Sequence, residues 1–426
     1  MKANKPTLLL FSLLLASCAN EKESLTPAAP ETDPQRPEEE GPKDTLRITE
    51  RANTFVVTPG TVVLFTPCKG NSDVDIPDVL PEVVWQDNPN LVKNVFADED
   101  NMVMVDLRKN QAGNAVIGAR NFQGEVQWTW TLWVTQEKPA DVVVSTPEGG
   151  DFTFMDRNIG ALSATALDDS STGNVYQWGR KDAFPGPTYS TTQAVQRPIY
   201  DMSGQKRSIS YEDIQLSCHN NIPAAIAHPL VSYKSVGTNG FDGNYSWITS
   251  QWNAEEMNGV DTLWNNSGRK TIFDPCPAGY KVPQASVWDA LFFKAVTPSP
   301  DTTVLFNSAY TVDKSITKNW SSERAAQYHW QARFRGAKFG DLYLIAGGSL
   351  DHQGNVKCVP ADKAIHTRLW TATAFSPRSN SYQFGAYAAC VGPSYAHQVA
   401  EFKLYDSSES TAHRFSNLYP VRCIKE

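Results

Sequence analysis

The chain of 426 residues has no Cys-x-x-Cys pair and no Cys/His cluster at zinc spacing, and its seven histidines are scattered singly, so it offers no metal site. Gly-x-Ser-x-Gly, His-Glu-x-x-His and the phosphate-binding loop are all missing. None of the 46 acidic residues stands in a stretch that reads as a glycosidase pair. No catalytic residue and no cofactor are therefore assigned, and an enzyme is not expected. Long Lys/Arg runs are absent as well, and a net charge of −8 with a pI near 5.5 leaves no footprint for nucleic acid. No apolar run approaches the roughly 20 residues that a spanning helix needs.

What is present points outward. Lys2 and Lys5 precede an apolar core at residues 8–15, interrupted by Ser12 and closed by Ala16, Ser17 and Cys18, the pattern of an export signal. Leu-Ala-Ser-Cys resembles a bacterial lipobox, which implies acylation of Cys18 and a membrane held through lipid alone; an ordinary signal peptide with an incidental cysteine is the other reading. Residues 19–43 hold five prolines and seven acids with nothing to bury, so they read as a disordered, extended linker. At about 3 Å per residue it reaches roughly 70 Å. Its first acids, Glu21 and Glu23, are similar to the surface-export tags of Bacteroidetes lipoproteins, implying an outer-membrane anchor that faces the cell exterior, with a periplasm-facing anchor as the alternative.

With 41% hydrophobic and 11% aromatic residues, the remainder has ample core for two domains. Residues 46–137 alternate apolar and polar side chains between Gly-bearing turns, which predicts a small β-sandwich. In GEVQWTWTLWVT, Trp128 and Trp130 fall on one face and Trp133 on the other, the pattern of a buried central strand. The stretch GNAVIGARNFQGEVQWTWTLWVT also resembles fimbrillin-like surface lipoproteins of Bacteroides, implying a stalk or adaptor on a cell surface or pilus. Residues 136–141, QEKPAD, read as a polar hinge.

Residues 142–426 predict a second, α+β domain. FMDRNIGA at 154–161, VYQWGRKDAF at 175–184, DPCPAGYKVP at 274–283 before a Trp-bearing helix, and the terminal PVRCIKE resemble the Fibrobacter succinogenes major paralogous domain. That resemblance implies a C-type lectin-like fold and a Cys276–Cys423 disulfide, and more weakly a Cys358–Cys390 pair; Cys68 and Cys218 are expected free and buried. VPQASVWDAL is also similar to formylglycine-generating enzymes, which need a reactive cysteine pair that Cys276 and Cys423 do not resemble. Calcium is a candidate only through the lectin resemblance, because Glu-Pro-Asn, Gln-Pro-Asp and Trp-Asn-Asp are absent. Asp156, Arg157 and Asn158 read as a frame that fixes a turn, with the edge of a ligand site as the alternative. Tyr176, Trp178 and Arg180 read as a strand whose aromatics enter the core and whose arginine caps it.

Residues 185–268 read as a long loop insertion rich in Gly, Asn and aromatics. Tyr245, Trp247, Trp252 and Trp264 are its candidate ligand-binding residues, since rings cover the apolar face of a pyranose while amides bond its hydroxyls. The opposing reading has these tryptophans simply packing the loop onto the domain. The sequence thus predicts a mainly β surface lipoprotein acting as an adhesin or a pilus tip or accessory subunit, with a glycan or a host or matrix protein as partner. A glycan-capture lipoprotein of a polysaccharide uptake system and a purely structural pilus subunit are the alternatives.

Overall fold

The computed structural model describes residues 43–145, 150–165, 169–189, 194–215, 221–235, 246–248, 263–264, 267–295, 302–306, 334–356, 367–375, 385–393, 400–405 and 415–426. The protein is mainly β, 44% strand against 7% helix, in several sheets with no closed barrel among the described residues. Lys43–Glu426 form one compact unit. Cys18 and the linker lie outside the described residues.

The alternating N-terminal stretches form β1 (Thr45–Ile48), β2 (Thr54–Val57), β3 (Val62–Phe65), β4 (Leu80–Gln86), β5 (Val92–Ala97), β6 (Val103–Leu107), β7 (Gly113–Arg120) and β8 (Val126–Val134). One sheet runs β1-β3-β6-β5; the other has β4-β7-β8-β2 in order. The two pack through Phe65, whose ring centroid lies 5.0 Å from Phe55 on β2 and 5.2 Å from Trp130 on β8. In β8 every residue except Gln127 is buried, and its three tryptophans each donate an indole N–H inside the protein, to Asn53 Oδ1, Cys68 O and Ala161 O. Large rings with one polar atom suit such a strand only when that atom finds a partner, as all three do.

Four hairpin turns share one chemistry. In Asp98–Met102, Asn121–Glu125, Asp201–Gln205 and Asp351–Asn355 the first residue's Oδ1 accepts the backbone N–H groups two and four positions on, at 2.8–3.1 Å. The fourth residue then needs a left-handed backbone, met by Asn101 (φ 61°) and by Gly124, Gly204 and Gly354 (φ 80–82°). Two of these glycines make a prediction. At Gly124 an added Cβ meets nothing within 4 Å, so Gly124→Ala should cost only the left-handed strain, about 1–2 kcal/mol. At Gly354 the same Cβ would lie 2.2 Å from the Tyr211 ring, so Gly354→Ala should cost clearly more. Urea midpoints that fall equally for both would count against this account.

Beyond 141 the strands β9 (Asp141–Ser145) and β10 (Asp151–Met155) join a sheet with Ile424–Lys425 and Tyr280–Lys281, and β11 (Asn174–Gln177) pairs with β12 (Phe184–Pro185) and Leu418–Tyr419. The expected Cys276–Cys423 disulfide is present, with Cα atoms 6.0 Å apart. The Trp-bearing helix is Ala285–Ala295, and its Trp288 packs on Phe154 of β10 at 5.1 Å. Asp156-Arg157-Asn158 sits beside the chain end: Arg157 pairs with Asp156 at 2.8 Å, and buried Arg422 donates to Asn158 Oδ1 and to the carbonyls of Met155, Asp156 and Tyr343. The motif is a frame here. The expected strand through YQWGRKDAF stops at Gln177, because Gly179 turns the chain at φ 83°; Arg180 then enters the core at 2% exposure instead of capping it.

Residues 136–141 are mostly exposed, and the segments on either side of them touch elsewhere. Ile199–Tyr200 and Lys206–Arg207 extend the six-stranded sheet beyond β4, and Asn53 and Thr54 bond the carbonyls of Ile272, Asp274 and Pro275 at 2.7–2.9 Å. Asn114 on β7 donates to Gly160 O and to Asp87, and accepts from Asn174. Arg197 reaches Asp87 at 2.6 Å. Such buried polar links between the two segments are costly to break, because each partner left behind is desolvated.

Candidate functional site

A groove of about 690 Å³ opens between the six-stranded sheet and the chain that follows β12. Its floor comes from Glu82 and Val84 on β4, Arg120 at the end of β7, and Val126 and Gln127 at the start of β8. Gly118 beside them lets Val84 lie flat, since a Cβ there would come within 2.8 Å of Val84 Cγ2. The wall is the short helix α1 (Asn221–Ala227) and the turn after it, presenting Pro223, Ile226, Ala227 and Leu230. Pro223 is tolerated in the first turn, where its missing N–H has no helical partner to lose, and Pro229 forbids continuation.

What holds this wall lies beneath it. Arg180, 1% exposed in its side chain, donates to Ala225 O inside α1 at 3.0 Å and to Val231 O past the following turn at 2.7 Å. Its guanidinium pairs with Asp182 at 3.0 Å and lies 5.0 Å from the Phe184 ring centre and 5.9 Å from that of Trp247. Asp182 also accepts from Lys181 and from Thr129 of β8. Burial would raise the Asp182 carboxyl, but Lys181 and Arg180 overcome it and hold the group below its ordinary value. Burial pushes the Lys181 ammonium down, offset in part by Asp182.

The groove is polar at its rim. Arg120 pairs with Glu82 at 2.6 Å and also donates to Gly124 O, while Glu125 accepts from Asn121 at 3.0 Å. Lys69, Arg207 and the imidazole of His228 complete the polar lining. The β7–β8 turn, which forms one end, carries Phe122 at 73% exposure, and Leu80, opposite Arg120 in the ladder, is 47% exposed.

The expected aromatic site falls elsewhere. Trp247 and Trp264 are each 1% exposed, and their indole N–H groups are taken by Trp178 O and Phe273 O at 3.0 Å. As placed, neither ring offers a face to a ligand; Trp247 instead supports Arg180, and Trp264 lies 5.8 Å from the Trp178 ring centre. Tyr245 and Trp252 lie outside the described residues. So do Cys358 and Cys218, and with Cys358 the pairing expected for Cys390, which is buried on the strand Gly385–Pro393. Cys68 is a buried free thiol, pushed up by that burial. Among the described residues no three of His, Cys, Asp or Glu converge as a metal site would require, and no helix is long and apolar enough to cross a membrane.

With this geometry in hand, comparison with protein-family models, with curated proteins and with solved structures returns no match. The groove residues carry no local signal that would have singled them out. Lys69, Arg120, Arg207 and His228 come from four separate stretches.

Proposed function

We propose that the chain is a cell-surface lipoprotein acting as an adhesin or pilus-associated subunit, anchored to the outer membrane through Cys18 and binding glycan or protein outside the cell. The observation that carries the reading is the groove: an open site with a mixed apolar and charged lining, on a compact unit tied by a buried disulfide. Its size falls in the range of about 300–1,000 Å³ typical of ligand sites. The finer assignment, a fimbrillin-like β-sandwich at 46–137 followed by a C-type lectin-like domain at 142–426, is supported by the junction of FMDRNIGA with PVRCIKE through Arg422 and by the Cys276–Cys423 bond.

The test is a glycan and matrix-protein array probed with the soluble unit Lys43–Glu426, with and without EDTA. Binding to at least one class is expected. A folded protein that binds nothing sinks the adhesin reading and favours a structural subunit. That second reading has its own support in β1, an edge strand that pairs in parallel with β3 over only four residues, two of them exposed. Its signature would be concentration-dependent polymers in sizing experiments.

A further inference from the structure

We infer that the groove between the six-stranded sheet and α1 binds a short saccharide bearing a carboxylate, a uronate or a sialate. The inference rests on the proposed role as an exported binding protein and places the contact between the N-terminal sheet and residues 207–231, not on the rings of Trp247 and Trp264. Charge comes first. The two carboxylates of the groove are already engaged, Glu82 by Arg120 at 2.6 Å and Glu125 by Asn121 at 3.0 Å. With Arg120 offset by Glu82, Lys69 and Arg207 stand against the single charge of Glu125, so the Lys, Arg and Glu side chains of the lining leave one positive charge, on a chain whose net charge is −8. Arg207 meets Asp201 only at 3.8 Å, and its side chain is 48% exposed, so its fork is open to a planar carboxylate.

Shape comes second. A space of about 690 Å³ suits a compact ligand of a few rings more than a long polymer or a folded partner. Pro223, Ile226 and Leu230 give the apolar wall and Gln127 an amide for hydroxyls. Phe122 does not line the groove, but it is 73% exposed on the turn whose Gly124 and Glu125 do, and its ring is the one we assign to the apolar side of a pyranose. An exposed phenylalanine on a tight turn packs no core of its own. Contact with an amphipathic ligand is a use for it.

The probes are trigalacturonate and 3′-sialyllactose, with maltotriose, lactose and a tetraglutamate peptide as controls, titrated calorimetrically into the full chain in detergent. At least one acidic saccharide should bind, with no heat from its neutral counterpart. Arg207→Glu and Phe122→Ala, both at exposed positions, should each weaken binding about tenfold, the loss of one charge-assisted bond or one ring contact. Salt should weaken the wild-type protein toward the Arg207→Glu level. No binding by either acid, equal binding of acid and neutral sugar, or tighter binding of tetraglutamate would overturn the assignment. Array ligands that bind Arg207→Glu and Phe122→Ala as well as the wild-type protein would overturn the groove while leaving the surface-binding role standing.

Discussion

Reducing the Cys276–Cys423 bond, or replacing Cys423 with Ser, is expected to remove about 3–5 kcal/mol of stability. The two residues are 147 positions apart, so the cross-link closes a long loop and restricts the unfolded chain strongly. The native side adds to this, because both cysteines are 0% exposed and both are held by neighbours the bond keeps in register. Cys276 donates its N–H to Asp274 Oδ1 at 2.8 Å while Lys270 donates to its carbonyl, and Cys423 O accepts from Met155 of β10 at 3.0 Å. Removal therefore loosens the seam between DPCPAGY and the last strand as well as lengthening the free chain. Urea unfolding followed by tryptophan fluorescence, with and without dithiothreitol, reads this directly. Cys423→Ser should already sit at the reduced midpoint and should not respond to the reductant. A wild-type midpoint insensitive to reduction would mean that Arg422 and the β10 ladder hold the terminus unaided.

The turn at Cys276 was legible in the sequence for a local reason, whereas its pairing with Cys423 followed only from the family resemblance. Pro275, Pro277 and Gly279 fix the backbone around Cys276 whatever lies nearby, and Gly279 takes a left-handed value, φ 78°. The alternation of β3 and β6 was equally readable, because each buries one face, while β7 and β8 are buried on both. What could not be read depends on who the neighbours are. Ile199–Tyr200 adds to β4 through a single pair, Tyr200 opposite Gln86, too short for any periodicity to announce. Asn114 sits in a Gly-Asn-Ala-Val stretch that reads as strand, yet its amide bridges to Gly160 and Asn174, far along the chain. Trp247 has the same composition around it whether its ring faces solvent or Arg180. Amide-rich surroundings marked it for a ligand, and the buried guanidinium 5.9 Å from its ring was the unseen term. The groove inherits that blindness, being built from Lys69, β4, β7, β8, Arg207 and α1 at once.

Asp182→Asn should be as damaging as loss of the disulfide, about 3–5 kcal/mol, through a different mechanism. Arg180, Lys181 and Asp182 are all buried, with side chains 1%, 1% and 3% exposed, so a single carboxylate serves two desolvated cations. Asparagine keeps the shape and removes the charge. Both cations then remain buried with neutral partners, the costly outcome for an ion pair, while the intact cluster is worth far less than its Coulomb attraction suggests. Two further results separate this account from simple loss of hydrogen bonds. Adding Lys181→Met to Asp182→Asn should recover part of the stability, because one uncompensated cation is gone; a further fall would contradict it. Acid should act in the same sense as the mutation. The carboxyl is held below its ordinary value, so its contribution is complete above about pH 4, the unfolded value, and is lost as pH falls through the folded one. The wild-type protein should therefore lose this increment below about pH 4, where Asp182→Asn has none to lose. Because Arg180 also holds Ala225 O and Val231 O, the same substitution should loosen the wall of the groove, and ligand affinity should fall in a variant whose changed residue does not line the site.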